Sequence, residues 1–186
     1  MDILEKKQHY IMLFDFYETL LTKKQREIFQ LYYFIQNNAL EIKNCKSILM
    51  IPDLINYFLT GNIANEYTNA TTTLLVNQRK GQWENKILDT IGLDLSFLQN
   101  LSKPGTLLGR LSPFICKELD IKPFNVILPA THDSASAVCG IPAKKVNENN
   151  WAFITIGTWC AAGCETDLPI VTKELFLSGN ANIGGV

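Results

Sequence analysis

Thr131, His132, Asp133 and Ser134 place two hydroxyls, an imidazole and a carboxylate on four consecutive residues. Further along, Gly157-Thr158 ends an apolar run with a tight turn and a hydroxyl. These groups suit phosphoryl transfer to an alcohol. That reaction needs a carboxylate to take the hydroxyl proton, and backbone amides or hydroxyls to hold the transferred group. In that chemistry Asp133 is the base. Thr158, with the free N–H groups around Gly157, is the phosphate contact. The spacing alone also fits a plainer arrangement, in which Asp133 caps a helix and Gly157-Thr158 turns a hairpin.

Short elements must position these groups. Val126–Leu128 is a β-branched, apolar run with the pattern of a buried strand, and Pro129 stops it. The small residues Ala135 to Ala137 open a helix. The polar cluster therefore follows the carboxyl end of a strand, where open α/β sheets bind their ligands. Trp151–Ile156 and Trp159–Glu165 are expected to pair as a hairpin around Gly157-Thr158, after a polar loop over Ala143–Asn150.

The first sixty residues contain no glycine, and the first proline is Pro52, so this part is expected to be helical. Tyr10, Leu13, Phe14, Tyr17, Leu20 and Leu21 form one apolar stripe. Thr22-Lys23-Lys24-Gln25 has the form of a capping box, and Ile28, Leu31, Tyr32 and Ile35 share a face of the helix it would start. The two segments predict a helical hairpin. A helix is expected to continue over Ala39–Leu49, and another over Asp53–Leu59, with Pro52 in its first turn and Gly61 closing it. Glu66–Thr73, rich in short hydroxyls and amides, predicts a loop leading into a helix start. Trp83–Ile91, Asp94–Leu101 and Ser112–Leu119 predict helices, and Thr106–Leu111 a strand.

Composition narrows the partners. The 17 basic and 18 acidic residues leave a net charge of −1, which favours neither nucleic acid nor an anionic membrane. No apolar run reaches membrane-spanning length, and Met1-Asp2-Ile3-Leu4-Glu5-Lys6-Lys7 lacks the apolar core of a secretory signal. Five cysteines without paired spacing suggest reduced thiols and a cytoplasmic location. Cys160 and Cys164 have no further histidine or cysteine beside them, so no metal site is expected. No sequence feature bears on oligomeric state.

Thr131-His132-Asp133-Ser134-Ala135-Ser136-Ala137-Val138 and Ile156-Gly157-Thr158-Trp159 resemble two signature segments of the FGGY sugar kinases, in particular their rhamnulose-phosphorylating branch. Ile51–Gly61, Asn65–Thr73, Pro104–Gly109 and Ala181–Val186 agree with that family in the same order, so the resemblance runs from about Phe29 to Val186. It implies an α/β fold: part of an actin-like, ribonuclease-H-like sugar kinase, with sugar, ATP and Mg2+ meeting between two lobes. Residues 35–140 would be the C-terminal part of the first lobe, and residues 141–186 the truncated start of the second. By the same resemblance Asp133 is the catalytic base, His132, Asp133 and Ser134 bind a small-molecule sugar, and Gly157 and Thr158 contact ATP.

Residues 1–34 point elsewhere. The family's first phosphate turn has the form Asp-x-Gly-Thr, and Asp15-Phe16-Tyr17-Glu18-Thr19 has no glycine to make it. Leu13–Arg26 instead resembles the small helix-turn-helix proteins associated with the signal-recognition-particle operon. A join of two coding fragments near Phe29–Phe34 is therefore expected, giving a kinase fragment inactive alone. The alternatives are a non-catalytic helical docking or regulatory module, or a remnant of a DNA-binding protein.

Overall fold

The computed structural model describes residues 45–143, 151–157, 160–178, 180 and 182–184. The expected helical hairpin, the join and Thr158 lie outside these residues. The described chain falls into two compact units, the first holding Asn85–Phe97, the second Leu49–Glu84 and the residues from Leu98 onward.

In the first unit, helix α3 spans Asn85–Ile91 and buries Leu88 and Ile91. Gly92 follows at φ +72, a left-handed residue that ends the helix as its position predicts. The helix expected over Asp94–Leu101 is a single 3-10 turn, Leu95–Phe97. Asp94 Oδ1 accepts the Ser96 N–H at 2.8 Å, and this local turn competes with a longer helix. Residues 45–49 are not helical either. The Ile48 N–H donates to Phe97 O at 2.8 Å and so leaves the helical ladder.

In the second unit, helix α1 (Ile51–Thr60) carries proline in its first turn, where no N–H is needed, and ends at Gly61 with φ 76, whose N–H donates to Tyr57 O. Its buried residues are polar, Asp53 and Asn56, while Ile51 and Phe58 are exposed. This reverses the usual amphipathic arrangement and marks a polar core.

Strand β1 (Asn65–Glu66) leads directly into the helical turn α2 (Tyr67–Ala70) and a 3-10 turn, Thr71–Thr73. The expected helix start thus comes at once, at Tyr67, with almost no loop before it. The Thr71, Thr72 and Thr73 hydroxyls donate back to the carbonyls of Thr68, Asn69 and Ala70, each at 2.7 Å, so they support the turns they were expected to disrupt. β2 (Val76–Asn77) pairs antiparallel with β3 (Gln82–Trp83). Trp83 therefore lies on a strand rather than in the helix that follows it, and its indole N–H donates to Gln99 O at 2.7 Å.

β4 (Leu101–Ser102) runs parallel to β1. β5 (Leu107–Arg110) pairs antiparallel with β6 (Asn125–Ile127), with a bulge between Leu107 and Gly109. Helix α4 (Pro113–Leu119) lies between them in sequence. Helix α5 spans Asp133–Cys139, β7 (Ala152–Ile156) pairs with β8 (Cys160–Cys164), and α6 covers Lys173–Leu177. Among the described residues the strands form four two-stranded sheets, not the open sheet expected behind the polar cluster. The strands are two to five residues long, and Pro104 and Pro129 follow β4 and β6 closely.

The core of this unit mixes Leu75, Val76, Leu111, Leu128, Ala130 and Ala135 with Asp53, Asn65, Glu66 and Thr68. Burying that many polar groups requires them to satisfy one another.

Candidate functional site

The loop after β6 is fixed at both ends. Leu128 N–H donates to Thr106 O at 2.9 Å, and Gly105 N–H to Leu128 O at 2.8 Å. The Ser136 hydroxyl reaches back to Ala130 O, and the Ser136 N–H donates to His132 O at 2.9 Å. His132 is the residue before α5, and its side chain makes no cap bond.

Asp133 is the first residue of the helix rather than its cap. Its Oδ1 accepts the Ser134 N–H at 2.7 Å, and its side chain is 96% exposed. The carboxylate therefore stands free at the start of the helix. His132 Nε2 lies 3.6 Å from Asp133 Oδ1. His132 Nδ1 is buried and has no hydrogen-bond partner among the described residues. Ser134 is half-buried beside them, its hydroxyl 3.4 Å from Asp133 Oδ1. The expected sugar-binding trio is thus contiguous on one helix start.

Gly157 is an exposed bend after β7. The second expected phosphate contact, Thr158, is outside the described residues.

A carboxylate not singled out in the sequence holds the loop in place. Glu66 is completely buried. Its Oε1 accepts Thr68 N–H at 2.8 Å, and its Oε2 accepts Asn69 N–H at 3.1 Å and the Thr68 hydroxyl at 2.6 Å, which caps α2. The same Oε2 accepts the Thr131 N–H at 3.0 Å and the Thr131 hydroxyl at 2.7 Å. Thr68 Oγ1 accepts the His132 N–H at 3.3 Å.

Beneath Glu66 lies Asp53, 1% exposed. Its carboxylate accepts the Glu66 N–H at 3.1 Å and an Asn65 amide N–H at 3.2 Å. Burial holds the Asp53 carboxyl above its ordinary range, against the lowering effect of these bonds. Asn65 Oδ1 in turn accepts Gln99 N–H at 2.8 Å. One signal for this layer was present in the sequence: Asn65-Glu66-Tyr67-Thr68-Asn69 packs polar groups with no basic residue among them. Such a run is ambiguous between a solvated loop and a buried network, and the loop reading missed the network.

Residues 6–140 match the N-terminal domain of the FGGY family of carbohydrate kinases. The chain belongs to the FGGY family. Its described part is a mixed helix-and-sheet piece of the actin-like fold of these sugar kinases. It is 38% identical over 163 residues to a rhamnulokinase of Oceanobacillus iheyensis, an alignment covering 88% of this chain and 34% of the relative. It is 42% identical over 149 residues to a rhamnulokinase of Halalkalibacterium halodurans, covering 80% of this chain and 31% of the relative. The chain thus spans about a third of the length of these curated relatives. Among solved structures, a ligand-bound xylulose kinase from Lactobacillus acidophilus aligns over 55% of this chain and 21% of its own, at 21% identity and a TM-score of 0.48.

The family match begins at residue 6, upstream of the join expected at Phe29–Phe34. It takes in the segment whose resemblance pointed to helix-turn-helix proteins, and that second resemblance finds no support. FGGY kinases use ATP and a divalent metal. Among the described residues no group of three or more His, Cys, Asp or Glu side chains gathers into a metal cage. A magnesium ion, where it takes part, is commonly held by one or two carboxylates together with substrate phosphates. No described helix is long and apolar enough to cross a membrane.

Proposed function

We propose that this chain supplies the sugar side of an ATP-dependent kinase acting on a rhamnulose-type ketose, with Asp133 as general base. The observation that carries this reading is the exposed Asp133 carboxylate at a helix start on a loop anchored from below, with His132 Nε2 3.6 Å from its Oδ1. A base must be open to substrate yet fixed in place, and this carboxylate is both. As the sugar hydroxyl attacks, its proton passes to Asp133 Oδ2, while Oδ1 stays occupied by the Ser134 N–H. His132 and Ser134 donate or accept hydrogen bonds at neighbouring sugar hydroxyls and so orient the attacking oxygen. ATP, when bound, would supply the γ-phosphoryl group, with ADP as the leaving group. Gly157, and Thr158 beyond it, are the proposed phosphate contacts, Mg2+ the proposed metal and the cytoplasm the proposed location. The rhamnulokinases among the relatives support the ketose assignment.

The same reading assigns residues 35–140 to the first lobe and residues 141–186 to the start of the second. It also expects the 186 residues alone to bind ketose without turning it over. Support comes from the exposure of Asp133: phosphoryl transfer needs charge stabilisation in a site closed to water. The test is a titration of the purified chain with rhamnulose, xylulose and ribulose, followed by 1H–15N NMR. Rhamnulose should shift the Thr131–Ser134 amides selectively. Shifts confined to residues far from this loop, or none with any ketose, contradict the proposal.

A further inference from the structure

We infer that Glu66 is a positioning residue for the sugar site, tying the cap of α2 to the loop that presents His132 and Asp133. The inference rests on the reading of Thr131–Ser134 as the sugar site and adds a residue that reading does not contain.

The choice of residue is the first argument. At a helix N-cap, the short side chains of Ser, Thr, Asp and Asn are preferred, because their oxygen sits close to the N2 and N3 amides. Glu66 occupies that position with a longer side chain, and still accepts from the N2 and N3 amides of Thr68 and Asn69. The extra methylene moves the carboxylate outward, where Oε2 also meets both donors of Thr131. A cap alone does not need that reach. A carboxylate shared between two segments does.

The second argument is satisfaction. The N–H groups of residues 131 and 132 follow the last ladder residue of β6 and precede α5, so neither element provides them with a partner. Glu66 takes the first and Thr68 Oγ1 the second, and the Thr68 hydroxyl proton is itself committed to Glu66 Oε2. The backbone on the N-terminal side of Asp133 is therefore fixed through one carboxylate. Among the described residues the five donors to Glu66 are all neutral groups, so hydrogen bonds hold its carboxylate there. Charge-assisted bonds of this kind are stronger than neutral ones, which suits a joint that must not slip by even an ångström.

Two variants separate positioning from mere folding. Glu66→Asp keeps a favoured cap for α2 but withdraws the carboxylate from Thr131. Thr131→Val leaves the cap untouched and deletes one donor to Oε2. In the full 186-residue chain, three quantities are read: the thermal midpoint, the amide shifts of Asn69, Thr131 and His132, and the dissociation constant for rhamnulose. For Glu66→Asp the Asn69 shift and the midpoint should hold, the Thr131 and His132 amides should move upfield, and rhamnulose binding should weaken about tenfold, the scale of a lost charge-assisted bond. Thr131→Val should give the same pattern in smaller measure. The inference is overturned if either variant leaves the Thr131 and His132 amides and the binding unchanged. It is equally overturned if binding falls only in proportion to a falling midpoint. A wild-type chain that binds no rhamnulose defeats the reading of the sugar site instead, and the amide shifts then still decide whether Glu66 holds the loop.

Discussion

Glu66 Oε2 accepts both the N–H and the hydroxyl of Thr131, at 3.0 and 2.7 Å, across 65 residues of sequence. The contact joins a helical turn early in the chain to the loop that carries the candidate base. Replacing Glu66 by alanine removes the cap and leaves buried donors on both segments unsatisfied. It should lower the unfolding free energy by about 2–4 kcal/mol, read from urea denaturation, whereas Glu66→Asp should cost under about 1 kcal/mol. Equal losses for the two would show that the cap contributes nothing and that the bonds to Thr131 carry the whole effect.

Asp53 gives the fold a pH dependence of known sign. Burial raises its carboxyl above the ordinary value of 3.8, so the folded protein binds this proton more tightly than the unfolded chain. The stabilisation is complete below 3.8 and is lost as pH rises through the higher folded value. Asp53→Asn removes the titrating group but keeps an oxygen for the Glu66 N–H. The difference in stability between wild type and Asp53→Asn should therefore shift against the wild type as pH climbs from about 4 toward neutrality. A difference that is flat with pH, or that shifts the other way, contradicts the assignment.

Gly184 lies against the Tyr67 ring so closely that a Cβ there would sit 2.6 Å from Cε1, and its N–H donates to Thr71 Oγ1 at 3.1 Å. Gly184→Ala should displace the 182–184 segment at a cost of about 1–3 kcal/mol. The measurement is hydrogen exchange at the Gly184 amide position, which should lose protection. Adding Tyr67→Ala should restore it, because the clash partner is then gone. Unchanged protection in the single variant argues against the contact.

Gly163 pairs with Phe153 across the β7–β8 hairpin, and a Cβ on Gly163 would sit 2.6 Å from the Phe153 Cζ. The ring covers the glycine, so Gly163→Val should expel it even though valine favours strands. Near-ultraviolet circular dichroism should show the loss of a fixed aromatic, with destabilisation of about 1–2 kcal/mol. Full retention of the signal would place the ring elsewhere.

Where local chemistry decided the outcome, the sequence was readable. Pro52 and Gly61 framed α1, Gly92 ended α3, and the β7–β8 hairpin formed where Trp151–Ile156 and Trp159–Glu165 predicted it. The order of Thr131, His132, Asp133 and Ser134 after a strand and at a helix start was also legible. What could not be read were long-range pairings. Leu101 closes the helix predicted over Asp94–Leu101, and it is instead a strand residue because Asn65 runs alongside it. Glu66–Thr73 predicts a loop before a helix start, yet the helical turn begins at Tyr67 and the Thr71–Thr73 hydroxyls find carbonyls three residues back. Glu66 reads only as part of a polar run, since nothing in its neighbours shows that Thr131 will come to it. Burial of a carboxylate depends on donors that sequence spacing does not display.

The claim on which the rest depends is that Asp133 takes the sugar proton. Its most direct test is turnover in a hybrid enzyme, with this chain replacing the matched third of the Oceanobacillus iheyensis rhamnulokinase. ADP release from ATP is measured with rhamnulose, for wild type and Asp133→Asn. Loss of a general base should lower kcat by about 10²–10⁴-fold and leave the ketose dissociation constant within about threefold. If kcat falls by less than about tenfold, or if ketose binding is lost while turnover per bound complex is kept, Asp133 is not the base.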